Sequence, residues 1–447
     1  MTGLDGHRPP SRALVDECVH CGFCLPSCPT YVLWGEEADS PRGRIHLMGQ
    51  VLDGAALEGP VAKHLDRCLS CLACVTACPS GVRYDELVEA TRAQIERNVA
   101  RPLGERALRA AIFALFPHPR RLRGARRAVA AAERTGLLGL ARRPAVARHL
   151  PGRLRSLVAL APPVRPVEAV PARLPASGER RATVGLLTGC VQDAFFSHVN
   201  AATARVLQAE GYEVVTPPGQ PCCGALAGHV GREDEAKAAA RATIDCFARA
   251  GVDRVVVNAA GCGSAMKAYG RLLADEPGDA DRAARFAAAT VDLAELLAAT
   301  PPRAVRHPLP GVVAYHDACH AAHAQGIHAE PRALLAAIPG LEVREIPGGS
   351  LCCGSAGVYN LLEPEPARQL GERKAAAVRA TGAATVVTSN PGCLLQLTAA
   401  AREAGTPLVG LHLAEVLDAS LRGDRLPGGG DRLPGGGDRL PGGGDRR

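Results

Sequence analysis

The sequence predicts a multidomain protein in which an all-α N-terminal domain is followed by two copies of one α/β domain. Three observations carry this reading. Two cysteine runs of identical spacing stand in the first 80 residues. From about residue 182, short apolar strands alternate with alanine-rich helices. Within that second part, four cysteine landmarks recur at a near-constant offset.

The first run reads C-V-H-C-G-F-C-L-P-S-C-P and holds Cys18, Cys21, Cys24, Cys28 and Pro29. The second reads C-L-S-C-L-A-C-V-T-A-C-P and holds Cys68, Cys71, Cys74, Cys78 and Pro79. Both have the C-x2-C-x2-C-x3-C-P spacing of two-cluster ferredoxins, in which the fourth cysteine of each run ligates the other run's cluster. That rule assigns Cys18, Cys21, Cys24 and Cys78 to one [4Fe-4S] cluster, and Cys68, Cys71, Cys74 and Cys28 to a second. Three thiolates separated by two residues each curl round one corner of a cube, and the proline ends the wrap and sends the fourth elsewhere. The competing explanations are a zinc site and a set of buried thiols. Zinc pairs are usually C-x2-C twice over, without a third regular cysteine or the C-P ending.

Residues 12–100 are expected to form this cluster domain. The 39 residues between Cys28 and Cys68 exceed the gap of a compact β-rich ferredoxin. They contain a helix candidate at Gly43–Leu52 with Ser40-Pro41 as its start signal. After the second run, Tyr84–Val99 has apolar residues near helical spacing. A helical ferredoxin-type domain, with helices after the C-P turns, is the expectation.

Residues 101–181 read as a basic helical linker with eighteen arginines against four acidic residues. Such a surface suits an acidic partner, a membrane's inner face or plain solvent. With aromatics at 3% of the chain, stacking platforms for nucleic acid are not expected. No run of 18 apolar residues is present and the N-terminus lacks an apolar leader, so a cytoplasmic protein is expected. Seventeen cysteines in so long a chain point to metal ligation rather than a disulfide scaffold.

In the second part, strands are predicted at Thr183–Leu187, Glu213–Thr216 and Arg254–Asn258, with helices at Val199–Glu210 and Glu233–Ala250. This alternation argues for βαβ units and a mostly parallel sheet. Cys190, Cys222, Cys223 and Cys262 recur as Cys319, Cys352, Cys353 and Cys393, at offsets of 129, 130, 130 and 131 residues. A duplicated domain follows, with copies at 182–304 and 305–420. The cysteines fall where strands end, the usual ligand edge of open α/β sheets. Gly224 and Gly354 follow the paired cysteines and permit the turn that brings both onto one site. Four thiolates per copy suffice for one iron–sulfur cluster or one zinc. The tail, 421–447, repeats D-R-L-P-G-G-G and is expected to be disordered.

These repeats resemble the cysteine-rich CCG domain found in heterodisulfide reductases and their relatives. That pattern adds a further cysteine where Ala259 and Asn390 stand here, so each copy has four cysteines in place of five. The whole arrangement over roughly residues 15–418 resembles the glycolate oxidase iron–sulfur subunits. The strings VHCGFCLPSCPTY, DSPRGRIHLM, HLDRCLSCLACVTACPSGVRY, AATARVL, GCGSAMKAYG and LCCGSAG carry it. The resemblance implies an electron-transfer subunit without a catalytic residue of its own. Its partner would be a flavin-binding 2-hydroxy-acid dehydrogenase subunit, and its acceptor quinone-like, at the inner membrane. Two alternatives stay open: a heterodisulfide-reductase-like catalytic subunit, and the iron–sulfur subunit of an anaerobic glycerol-3-phosphate dehydrogenase. Among smaller signals, Arg42 and Arg44 could dock a partner or raise a cluster's potential, or simply start a solvated helix. His316, His320, His323 and His328 surround Cys319 and suggest a mixed Cys/His site as an alternative to ordinary packing.

Overall fold

The computed structural model describes residues 3–426. Among them, no strand precedes Arg173. Helix Pro41–Leu52 starts where Ser40 caps it: the Ser40 Oγ accepts from the Gly43 N–H at 3.0 Å, and Pro41 fills a position that needs no donor. Its Ile45, Met48 and Val51 pack with Val15, Leu65, Leu87 and Ile95 in the N-terminal core. Leu87 and Ile95 belong to helix Tyr84–Asn98. Helix Pro29–Trp34 follows directly on Cys28, as the C-P turn predicts, whereas Cys78-Pro79 leads into a turn and the next helix begins only at Tyr84.

The linker forms helices Leu103–Leu115 and Pro119–Arg134, then shorter helices to Leu160. Ile112 and Phe113 pack with Ala227 and Ala236 of the first repeat and with Val358 and Leu361 of the second. The segment assigned to the linker does not stay helical, because Arg173–Leu174 is a strand, β1. It pairs antiparallel at the edge of the first repeat's sheet, Arg173 opposite Val215.

That sheet also contains β2 (Ala182–Leu186), β3 (Tyr212–Val215), β4 (Arg254–Val257) and β5 (Thr290–Asp292), in the order β1-β3-β2-β4-β5. The second repeat contributes β6 (Gly311–Tyr315), β7 (Leu341–Glu345), β8 (Thr385–Thr388) and β9 (Val409–His412), in the order β7-β6-β8-β9. Apart from β1, all pairings are parallel and the two orders are the same. Every predicted strand and helix of the first repeat is present with its ends shifted by no more than two residues.

The two sheets share one core, in which Val184, Val214 and Val256 join Val313, Val386 and Leu411. Polar ties cross the same boundary. The Arg205 guanidinium donates to Asp418 at 2.7 Å, and His412 Nε2 lies 2.8 Å from the Asn258 carbonyl. At the end of the described chain, the start of the tail is ordered, against expectation. Helix Leu413–Arg422 runs into it and Leu426 packs into the core over Gly311. A leucine with an apolar slot within reach gains more from burial than the short connection loses in entropy. The rest of the repeat tail lies outside the described residues.

Candidate metal centres

Both N-terminal cysteine runs coil through left-handed backbone at matching places. In the first, His20 has φ 52° and Gly22 φ 89°; in the second, Ser70 has φ 50° and Leu72 φ 62°. For His20, Ser70 and Leu72 that conformation costs of order 1 kcal/mol each, so the surroundings must impose it. Such turns aim successive N–H groups into a concavity that suits an anionic cluster. The Ser70 N–H already donates to Cys68 Sγ at 3.4 Å.

Each run's cysteines open onto a cavity. One, about 30 Å³, is lined by Cys18, Cys21, Cys24 and Cys78. The other, about 20 Å³, is lined by Cys68, Cys71, Cys74 and Cys28. Each lining includes one of the two groups of four named from the spacing, and the first also includes Cys74. Cys74, Tyr84 and Pro41 line both cavities, so they share a wall. Eight thiol side chains around these turns fit iron–sulfur ligation.

The surroundings of the two cavities differ. Around the first, Cys21 is exposed and Val19 and Phe23 stand out at 69% and 68% exposure. Around the second, all four cysteines are buried. Arg44 is buried beside it. Its guanidinium donates to His64 O at 2.7 Å, Thr30 Oγ1 at 3.1 Å and Asp39 at 3.2 Å, and comes within 3.9 Å of Cys28 Sγ. The Tyr84 hydroxyl donates to Cys68 Sγ at 3.6 Å. Burial pushes the Cys68 thiol up, but Arg44 and Arg92 outweigh it and hold it below the ordinary thiol value. At Cys71 and Cys74 burial and neighbouring thiols win and raise both well above it, with Arg44 only a minor opposing influence at Cys74. Arg44 is therefore no docking residue. Arg42 stays at the first cavity, donating to the His20 carbonyl at 2.8 Å and pairing with Glu37 at 2.6 Å.

The repeats bring their cysteines together at strand ends. Gly224 and Gly354 make the expected turns, at φ 79° and 90°. In the first repeat, Cys190 Sγ lies 3.8 Å from Cys222 Sγ, with Leu122 of the linker packed over both. In the second, the Gly354 N–H and the Asn390 amide donate to Cys352 Sγ and Cys393 Sγ, each at 3.4 Å. Cys352 also packs with Cys71 of the buried N-terminal cavity.

The four histidines near Cys319 do not form one site. His316 faces Cys353 and Cys393, and burial lowers its imidazole to about 3. His320 Nε2 reaches the Ser70 carbonyl at 2.9 Å, His323 Nδ1 the Thr76 hydroxyl at 2.8 Å, and His328 lies 3.8 Å from Asp317. Sequence reasoning missed Tyr84, Arg92 and the buried Lys374, whose ammonium donates to the Gly348 and Gly349 carbonyls at 2.8 and 3.0 Å. Helical periodicity hides such roles, because a long side chain's direction depends on the partner it meets.

The comparisons with known proteins agree with this division. Residues 14–82 match the 4Fe-4S dicluster domain, and 184–267 and 313–398 each match the Cysteine-rich domain. Fold and sites thus define an iron–sulfur protein of the class that joins a dicluster domain to a duplicated cysteine-rich domain. Residues 104–161 match the linker region of the glycolate oxidase iron-sulfur subunit. The probable glycolate oxidase iron-sulfur subunit of Bacillus subtilis (strain 168) is 40% identical over 410 residues, covering 90% of this chain and 92% of the relative. That of Escherichia coli (strain K12) is 38% identical over 393 residues, 87% and 91% of the two chains. The chain belongs to the glycolate oxidase iron–sulfur subunit family. Lactate utilization protein A of Halalkalibacterium halodurans is a more distant relative, 31% identical over 53% of this chain and 96% of its own length.

Proposed function

We propose that this chain is the electron-relay subunit of a glycolate oxidase complex. Oxidation of glycolate to glyoxylate releases two electrons, which a flavin-binding partner subunit collects and this chain passes on to a quinone-like acceptor. A bound [4Fe-4S] cluster supplies one-electron exchange. The observation that carries the reading is the pair of adjoining cavities, one lined by Cys18, Cys21, Cys24 and Cys78, the other by Cys68, Cys71 and Cys28, with Cys74 in the wall they share.

In this reading Cys18, Cys21, Cys24 and Cys78 hold the cluster nearer the surface, and Val19 and Phe23 form the rim that meets a partner. Cys68, Cys71, Cys74 and Cys28 hold the buried one. There Arg44 and Tyr84 place positive charge and a hydrogen-bond donor at the ligating sulfurs, which favours the reduced state and raises the potential. The cysteines of the CCG domains add a capacity for further metal.

No helix among the described residues is long and apolar enough to cross a membrane. Contact with an anionic inner-membrane face would be peripheral, through the linker. Its Leu137, Leu140, Leu154 and Leu157 are exposed, as are Arg120, Arg123 and Arg127.

Replacing Cys68 by Ser in the assembled complex tests the relay. Glycolate-dependent reduction of a flavin-level dye should persist while reduction of a quinone analogue falls at least about a hundredfold, about 2.7 kcal/mol in barrier. Undiminished quinone reduction, with the buried cluster's iron lost, would reject it.

A further inference from the structure

Among the described residues, one group of three or more His, Cys, Asp or Glu side chains has all its donor atoms within 4.8 Å of one another: His316, Cys353 and Cys393, each buried. The N-terminal cysteines are not so tightly gathered, as suits thiolates that bind separate irons of a cube. A tetrahedral ion with Zn–N near 2.0–2.1 Å and Zn–S near 2.3 Å holds its donors about 3.6–3.8 Å apart. The spread at His316 suits a single ion.

Three further features mark the place as a metal site. His316 Nδ1 is buried and has no hydrogen-bond partner. The His316 backbone N–H donates to the Val387 carbonyl at 2.8 Å, fixing the residue at the end of β6. Asn390 donates its side-chain N–H to Cys393 Sγ at 3.4 Å, the kind of outer contact that orients a metal-bound thiolate.

The first repeat supplies an internal control. Leu187 occupies the place of His316, with the equivalent N–H donating to Val256 at 3.0 Å, and packs with Cys223, Met266 and Tyr269. Ala259 occupies the place of Asn390. The same backbone therefore carries a nitrogen donor in one copy and a hydrocarbon in the other.

We propose that His316, Cys353 and Cys393 bind one thiophilic divalent ion, zinc or ferrous iron, at the second repeat only. Three protein ligands leave the fourth tetrahedral position open. The site stands whether or not the chain relays electrons.

The test is a metal and acid-labile sulfide inventory of the full-length chain, purified anaerobically. The unaltered protein should contain about one ion per chain beyond the iron matched by sulfide, and elemental analysis tells zinc from iron. H316A and C393S should lose that ion with sulfide unchanged, and C262S should keep it. Cobalt loaded into the emptied site should give tetrahedral bands with thiolate charge transfer. H316C should retain the ion and intensify that transition, which decides the matter if H316A fails to fold. Loss of sulfide with the ion in C393S would mean a cluster in its place and overturn the proposal. So would retention of the ion in H316A, or an unchanged cobalt spectrum in H316C.

Discussion

The two cysteine-rich repeats are one fold written twice, and their differences locate chemistry that the fold does not fix. They share strand order, the glycine turn after the paired cysteines, and a closing helix that begins with a capping box. Yet one copy has Leu187 and Asp292 where the other has His316 and His412. The first copy's cysteines are roofed by the linker through Leu122, whereas the second's face the buried N-terminal cavity through Cys71. Backbone geometry here is a template, and identity at a few strand ends sets what each copy can hold.

The largest expected break in the symmetry is at the turns. A Cβ on Gly354 would lie 2.6 Å from the Ala367 carbonyl oxygen, whereas on Gly224 the nearest contact would be 3.0 Å, to Ala239 Cβ. Both substitutions also force alanine into left-handed backbone. Gly354→Ala should destabilise the protein by about 3–4 kcal/mol and Gly224→Ala by roughly 1–2 kcal/mol less, read from denaturant midpoints. Equal losses would show that the tighter packing of the second copy relaxes freely.

Next come the capping residues, whose titrations oppose one another. Burial raises the Asp292 carboxyl from 3.8 to about 6, so its contribution is present below pH 3.8 and is lost as pH rises through 6. Burial lowers His412 from 6.5 to about 4, so its contribution is present above pH 6.5 and is lost as pH falls through 4. Each swing is worth about 3 kcal/mol. The two windows coincide and the swings nearly cancel, so between pH 4 and 6 stability should fall with rising pH in His412→Asn and rise with it in Asp292→Asn. If neither variant gains that slope, those groups are solvated in solution.

A smaller effect belongs to the roof. Leu122 is 2% exposed over Cys190 and Cys222. Leu122→Ala should cost about 2–3 kcal/mol. It should also speed alkylation of those two cysteines while Cys352 and Cys353 keep their rate. Peptide mapping after brief labelling reads the contrast, and equal acceleration at both copies would remove it.

Much of this architecture was legible in the residues. Regular cysteine spacing survives any fold because a cluster would dictate it, and it marked the residues that meet around the two cavities. Parallel strands buried on both faces read as short valine-rich runs, hence the accurate strand ends. Other features depended on contacts that no local pattern records. Arg44 lies in a string that looks solvent-facing, and only Asp39, Thr30 and the His64 carbonyl make its burial tolerable. His316 could not be told from its three neighbours, because which imidazole turns inward is set by where β6 ends. Leu426 looked like part of a featureless repeat until a slot over Gly311 was there to receive it.

The exchange of Cys28 and Cys78 between the two N-terminal cavities has a consequence for how such a protein matures. Neither cavity has its fourth thiol until both runs are folded against each other. On the proposed ligation, insertion of the clusters is then a concerted event, and a half-loaded chain has a loose run on each side. Damage follows the same logic in reverse. On that ligation, loss of the site at the exposed Cys21 would free Cys78, unpin the turn that follows Cys74, and so loosen the buried site.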